Sequence, residues 1–148
     1  MRIVILLVTI LVYSQVSAHV GYPDPELTPG VIDITATKEK VCVPGYSKKD
    51  RNVSDAVKRA IFVEYQIPPE HRNGKEYEID HLIPLELGGS NDQRNLGAEP
   101  AEPRPGFHEK DKVENYLHQQ VCLGVMSLSE AQKEISTNWL NVYDQINH

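Results

Sequence analysis

The chain has 148 residues, 40% hydrophobic and 24% charged, the size and composition of one globular domain, which excludes a collagen-like, coiled-coil or wholly disordered chain. With 15 Lys and Arg against 21 Asp and Glu, the formal net charge is −6; that argues against a histone-like polycation and leaves room only for a local basic cleft. Two cysteines are too few for a disulfide-built scaffold or a four-cysteine zinc site.

Residues 1–18 read as a secretory signal. Arg2 is the basic flank, Ile3 to Val12 the apolar run and Val16-Ser17-Ala18 a small-residue cleavage pattern. The run is too short for a membrane span of about 20 residues, so the expected mature chain begins at His19, is secreted and carries no anchor. In an oxidising compartment Cys42 and Cys122 are expected to form one disulfide, the alternative being two buried free thiols. Asn52-Val53-Ser54 is a glycosylation sequon, meaningful only in a eukaryotic host.

Residues 19–40, with Pro23, Pro25, Pro29 and Gly30, form an extended or loosely packed leader, and 41–148 a single domain. Val41 to Val43 predicts a brief strand or turn, stopped by Pro44-Gly45. Ser54 or Asp55 can cap a helix whose Val57, Ala60, Ile61 and Tyr65 follow helical spacing, ended by Pro68-Pro69. Asn73-Gly74 marks a turn. Tyr77 to Leu87 suits a strand entering an irregular loop at Pro84, Gly88-Gly89 a tight turn, and Gln93 to Leu96 a short return strand. After the rigid Pro100, Pro103 and Pro105 connection, Phe107 to Leu123 predicts a helix with a buried stripe of Val113, Tyr116, Leu117 and Val121, ended by Gly124. Its other side carries Asp111, Asn115, His118 and Cys122, and Lys110 and Glu114 have the spacing of a surface pair. Ser127 to Glu130 fits a capping box opening a last helix through about Val142, packed by Leu128, Ala131, Ile135, Trp139 and Val142. Trp139 reads as core rather than as a stacking platform for bases. The fold class is α+β.

The chemistry concentrates between residues 80 and 108. A neutral imidazole near its working pKa can take a proton from water, so His81 suits a general base. The adjacent Asp80 carboxylate suits a hard divalent cation. Asn95, on the facing segment, can hydrogen-bond the backbone beside the base and fix its orientation. Glu86 is a candidate supporting carboxylate.

Asp80-His81, Pro84, Gly88-Gly89 and Asn95-Leu96 resemble the core of the HNH endonuclease family, which has a ββα-metal fold. The segments around Cys42 and from Lys110 to His118, with Leu128 to Gln132 and Asn138-Trp139, are similar to secreted, mostly uncharacterised bacterial members. The resemblance implies a ββα core with added N- and C-terminal helices. It implies that His81 activates water, that Asn95 supports it, and that a residue in the first turn of the following helix completes the metal site with Asp80. His108 is the best match for that ligand, with His118 and Asp111 as competitors on the polar face. Gly97 stands where such members carry an aromatic. The implied cofactor is a divalent metal ion, Mg²⁺ first, with Mn²⁺ or Zn²⁺ as alternatives. The implied partner is a nucleic acid substrate, DNA first. Lys48, Lys49, Arg51, Lys58 and Arg59, with Arg94, Arg104, Lys110 and Lys112 around the site, could supply a basic cleft. The alternative is a secreted binding or effector module that keeps the scaffold without turnover.

Overall fold

The structure, a computed structural model, describes residues 21–148; the expected signal, 1–18, lies outside the described residues. Thr37 caps a one-turn helix α1 (Lys38–Val41), and left-handed Gly45 leads into α2 (Tyr46–Asp50). Of the strand and the turn that Val41 to Val43 allows, the structure takes the turn, entered from the end of α1. Ser54 accepts from the Val57 N–H and opens α3 (Asp55–Glu64), as its sequence predicts. The sheet has two antiparallel strands, β1 (Tyr77–His81) and β2 (Leu96–Pro100). Gln93 to Asn95 forms a 3-10 turn capped by Asp92, so the return strand starts later than the sequence pattern indicates. Helix α4 spans Phe107–Leu123 and ends at left-handed Gly124, the predicted bounds. Ser127 and Glu130 form the capping box of α5 (Leu128–Thr137), but Asn138 breaks the helix and α6 (Trp139–Ile146) follows. The described residues therefore form a mixed α+β fold of six helices and one small sheet.

Helices α4, α5 and α6 pack together through Val113, Leu117, Val121, Ala131, Ile135, Trp139 and Val142. Tyr116 leaves the buried stripe and stays 38% exposed. The long β1–β2 connection closes this core with Leu82, Ile83 and Leu87. The Cys42–Cys122 disulfide ties the end of α1 to the end of α4 across 80 positions, worth about 4–5 kcal/mol in the chain-entropy picture. The leader is extended but not loose. Gly30 N–H donates to the Arg94 carbonyl, Asp33 N–H to the Gly88 carbonyl, and the Val31 carbonyl accepts from Ser90. Thr28 is buried, its hydroxyl donating to the Leu96 carbonyl. Among the described residues no helix is long and apolar enough to cross a membrane.

The connection from residue 82 to 95 folds back on itself only because Gly89 has no side chain. A Cβ there would stand 1.7 Å from the Ile83 carbonyl oxygen and 2.9 Å from Asn95 Nδ2. Gly89→Ala is expected to lower the unfolding free energy by about 3 kcal/mol or more, because backbone rather than a flexible side chain must yield. Urea denaturation reads this directly, and an unchanged midpoint would contradict the packing.

Candidate metal centre and cleft

Alternation along β1 places Glu78 and Asp80 on one face of the strand. Asp111, one turn into α4, meets them there. One carboxylate oxygen from each of Glu78, Asp80 and Asp111 lies within 4.8 Å of the other two. Three oxygen donors and no sulfur or nitrogen make a hard set, suited to Mg²⁺ or Mn²⁺ before Zn²⁺. Of the three helix candidates, the structure brings Asp111 to Asp80. His108 is exposed on the first turn with its ring against Phe107 (centroids 4.2 Å apart), outside the oxygen group. His118 is engaged elsewhere, its Nε2–H donating to the Val41 carbonyl at 3.0 Å. Glu78 escapes the motif reading, although its spacing of two from Asp80 on a strand is a usable signal.

Lys110 is the largest departure from expectation. It is not a surface residue: it is 2% exposed, and Glu114 is 8%. Its ammonium donates to Asp80 Oδ2 (3.0 Å), the His81 carbonyl (2.8 Å) and Glu114 Oε1 (2.8 Å). Those three bonds use all its protons. Glu99 Oε1 lies 3.2 Å away yet is left without a hydrogen-bond partner. Two buried carboxyls and the half-buried Asp80 thus surround one cation, and they divide the charge unequally. Burial pushes Asp80 up, but the Lys110 ammonium and its hydrogen bond outweigh burial and hold that carboxyl below its ordinary value. Burial pushes Glu114 well above the usual carboxylate range and Glu99 up to about 7. Lys110 itself stays charged, because the carboxylates around it outweigh burial.

His81 lies at the end of β1 with a side chain only 2% exposed. Its tautomer follows from its neighbours. Asn91 Nδ2 donates to the Asp50 carbonyl and Asn91 Oδ1 accepts from the Asn52 N–H, which sets the amide's orientation. Asn91 Oδ1 can therefore only accept from His81 Nε2, at 3.3 Å. The lone pair is on Nδ1, 4.0 Å from Asp80 Oδ1. Burial lowers the pKa of the ring and keeps it neutral. Asn95, fully buried, acts one step further back. Its Nδ2 donates to the carbonyls of Ile83 and Ser90, and its Oδ1 accepts from the N–H groups of Ile83 and Val31. It clamps the loop that follows His81 rather than touching the ring. At Gly97 the space an aromatic would need is already filled: a Cβ would meet Pro23 at 3.0 Å and the Tyr65 hydroxyl at 3.3 Å.

The carboxylates face a cleft of about 590 Å³, walled by β1 and α4 and rimmed by Arg51, Lys58 and Arg72. Glu86 and Glu114 complete its acidic lining. Burial and then the charges of Asp80 and Asp111 push Glu78 up to about 7, and Asp111 and Glu86 are also raised, chiefly by burial. Arg51 and Lys58 come from the predicted basic cluster, whereas Arg72 lies outside it. The Arg72 guanidinium stands over the Phe62 ring, 5.7 Å from its centroid. Arg94 and Arg104 instead pair with Asp92 and Glu102, away from the cleft lining. Compared with protein-family models, curated proteins and solved structures, the chain gives no match.

Proposed function

We propose that the chain is a secreted, divalent-metal-dependent endonuclease of the HNH type that hydrolyses phosphodiester bonds in nucleic acid, DNA first. The observation that carries this reading is the Glu78, Asp80 and Asp111 oxygen group beneath a cleft with a cationic rim. Acids gathered this closely repel one another, and a bound dication relieves that repulsion. The order of strand, long loop, antiparallel strand and helix, with Asp80-His81 ending the first strand, is the order the family resemblance implies. The disulfide supports an exported chain.

In this reading Arg51, Lys58 and Arg72 bind the phosphate backbone of the substrate. His81 Nδ1, free of hydrogen and beside Asp80, takes the proton of the attacking water. Asn91 holds the ring by Nε2–H, Asn95 fixes the loop behind it, and Lys110 holds Asp80 Oδ2 so that Oδ1 faces the imidazole. A divalent ion bound by the three carboxylates would offset the charge that develops on the phosphoryl group and the leaving oxygen. The low exposure of the His81 ring favours one second reading, a module that binds nucleic acid or metal without turnover.

The test is a nicking assay on supercoiled plasmid and on single-stranded RNA, with Mg²⁺ or Mn²⁺. Cleavage that EDTA abolishes and added Mg²⁺ restores is expected. Binding of plasmid without cleavage under every ion would select the module.

A further inference from the structure

We propose that Cys42, Cys122 and His118 form a second metal site, a soft one for Zn²⁺, which exists only when the disulfide is reduced. It is independent of the acidic cleft and of the nuclease reading. One ligand atom from each of the three residues lies within 4.8 Å of the other two, and the cysteine Cα atoms are 5.6 Å apart. His118 Nε2 lies 3.4 Å from Cys122 Sγ. All three side chains are partly exposed, so an ion and water can reach them. Two sulfurs and an imidazole, with a fourth position for water, are a donor set Zn²⁺ takes readily and Mg²⁺ does not.

A reductant such as a dithiol supplies two electrons and becomes its own disulfide. The Cys42–Cys122 S–S bond breaks, and two protons leave both sulfurs as thiols. Zn²⁺ displaces those two protons to solvent and binds the thiolates. The His118 proton, now on Nε2 and donated to the Val41 carbonyl, moves to Nδ1 through solvent, which frees the Nε2 lone pair for the ion. The water at the fourth position can donate to the Val41 carbonyl in its place. The joint between α1 and α4 is therefore closed by a covalent bond under oxidising conditions and by zinc under reducing ones, such as those a chain meets before export.

The full chain is reduced with a water-soluble phosphine, which ends as the phosphine oxide with oxygen drawn from water. It is then titrated with Co²⁺ as a spectroscopic substitute for Zn²⁺, and with Zn²⁺ in competition. The expected result is a thiolate-to-cobalt charge-transfer band, seen only after reduction and bleached by Zn²⁺, over and above any Co²⁺ that the Glu78, Asp80 and Asp111 group takes in either redox state. His118→Ala should weaken Zn²⁺ by about tenfold or more, Cys122→Ser should abolish the band, and Asp80→Asn should leave it unchanged. If the reduced chain unfolds, circular dichroism gives the same answer: Zn²⁺ should refold the wild type, and refold His118→Ala only at about tenfold higher Zn²⁺ or more. A reduced wild type with no thiolate band and no zinc-dependent refolding would overturn the proposal. So would a His118→Ala variant that matches the wild type in affinity and in zinc-dependent refolding.

Discussion

Lys110→Met is expected to destabilise the fold by about 3–5 kcal/mol, the largest loss of any single side-chain change in the site. Among the described residues, the ammonium is the one cation that pairs with all three carboxyls of Asp80, Glu99 and Glu114. Methionine fills similar space but leaves those acids with no cationic partner in a low-dielectric setting. The pH dependence identifies the cause. In the wild type Asp80 is held below its ordinary pKa, so its contribution is present above the unfolded value of about 4 and is lost as pH falls through the folded one. In the variant all three acids are raised, so the folded form binds more protons than the unfolded one and loses stability as pH rises. The deficit should therefore be widest at neutral pH and narrow toward about pH 4. Urea denaturation at several pH values checks both size and sign. A variant as stable as the wild type at neutral pH would contradict the buried network.

His81→Ala is expected to lower the rate of metal-dependent cleavage by about 10²- to 10⁴-fold, the usual worth of a positioned base. It should leave the affinity for the divalent ion nearly unchanged, because the imidazole lies outside the Glu78, Asp80 and Asp111 group. The separation of the two effects is what matters. A residue that merely packs the end of β1 would, when removed, disturb Asp80 and the metal together. Single-turnover cleavage and metal affinity are measured on the same preparation. Equal cleavage by variant and wild type would remove His81 from the reaction.

The elements most legible in the sequence are those whose signals are local. Helix α4 has an apolar stripe and a terminal glycine, and α3 and α5 have side-chain caps. The disulfide is the pairing two cysteines take in an oxidising compartment, with two free thiols as the alternative the sequence leaves open. What the sequence hid was set by packing between distant segments. Lys110 and Glu114 look like a solvent-facing pair at helical spacing until Asp80 of β1 and Glu99 of β2 are brought against Lys110. The same packing decides that Asp111 rather than His108 meets Asp80, since the two lie about 60° apart around the helix and about 4.5 Å apart along it. Asn138 interrupts an apolar pattern that runs on through Val142, so the pattern alone reads as one helix. Asn95 and Gly89 are recognisable as motif residues, but only the folded loop shows that one clamps Ile83 and the other makes room for its carbonyl.

The most direct test of the cation centre is a Mn²⁺ titration of the oxidised chain by calorimetry, with Asp111→Asn and His108→Ala alongside. One ion per wild-type chain is expected, with a weakening of about tenfold or more in Asp111→Asn through loss of a charged ligand and an unchanged affinity in His108→Ala. An Asp111→Asn variant that binds as the wild type does, or a His108→Ala variant that fails to bind, would contradict this expectation.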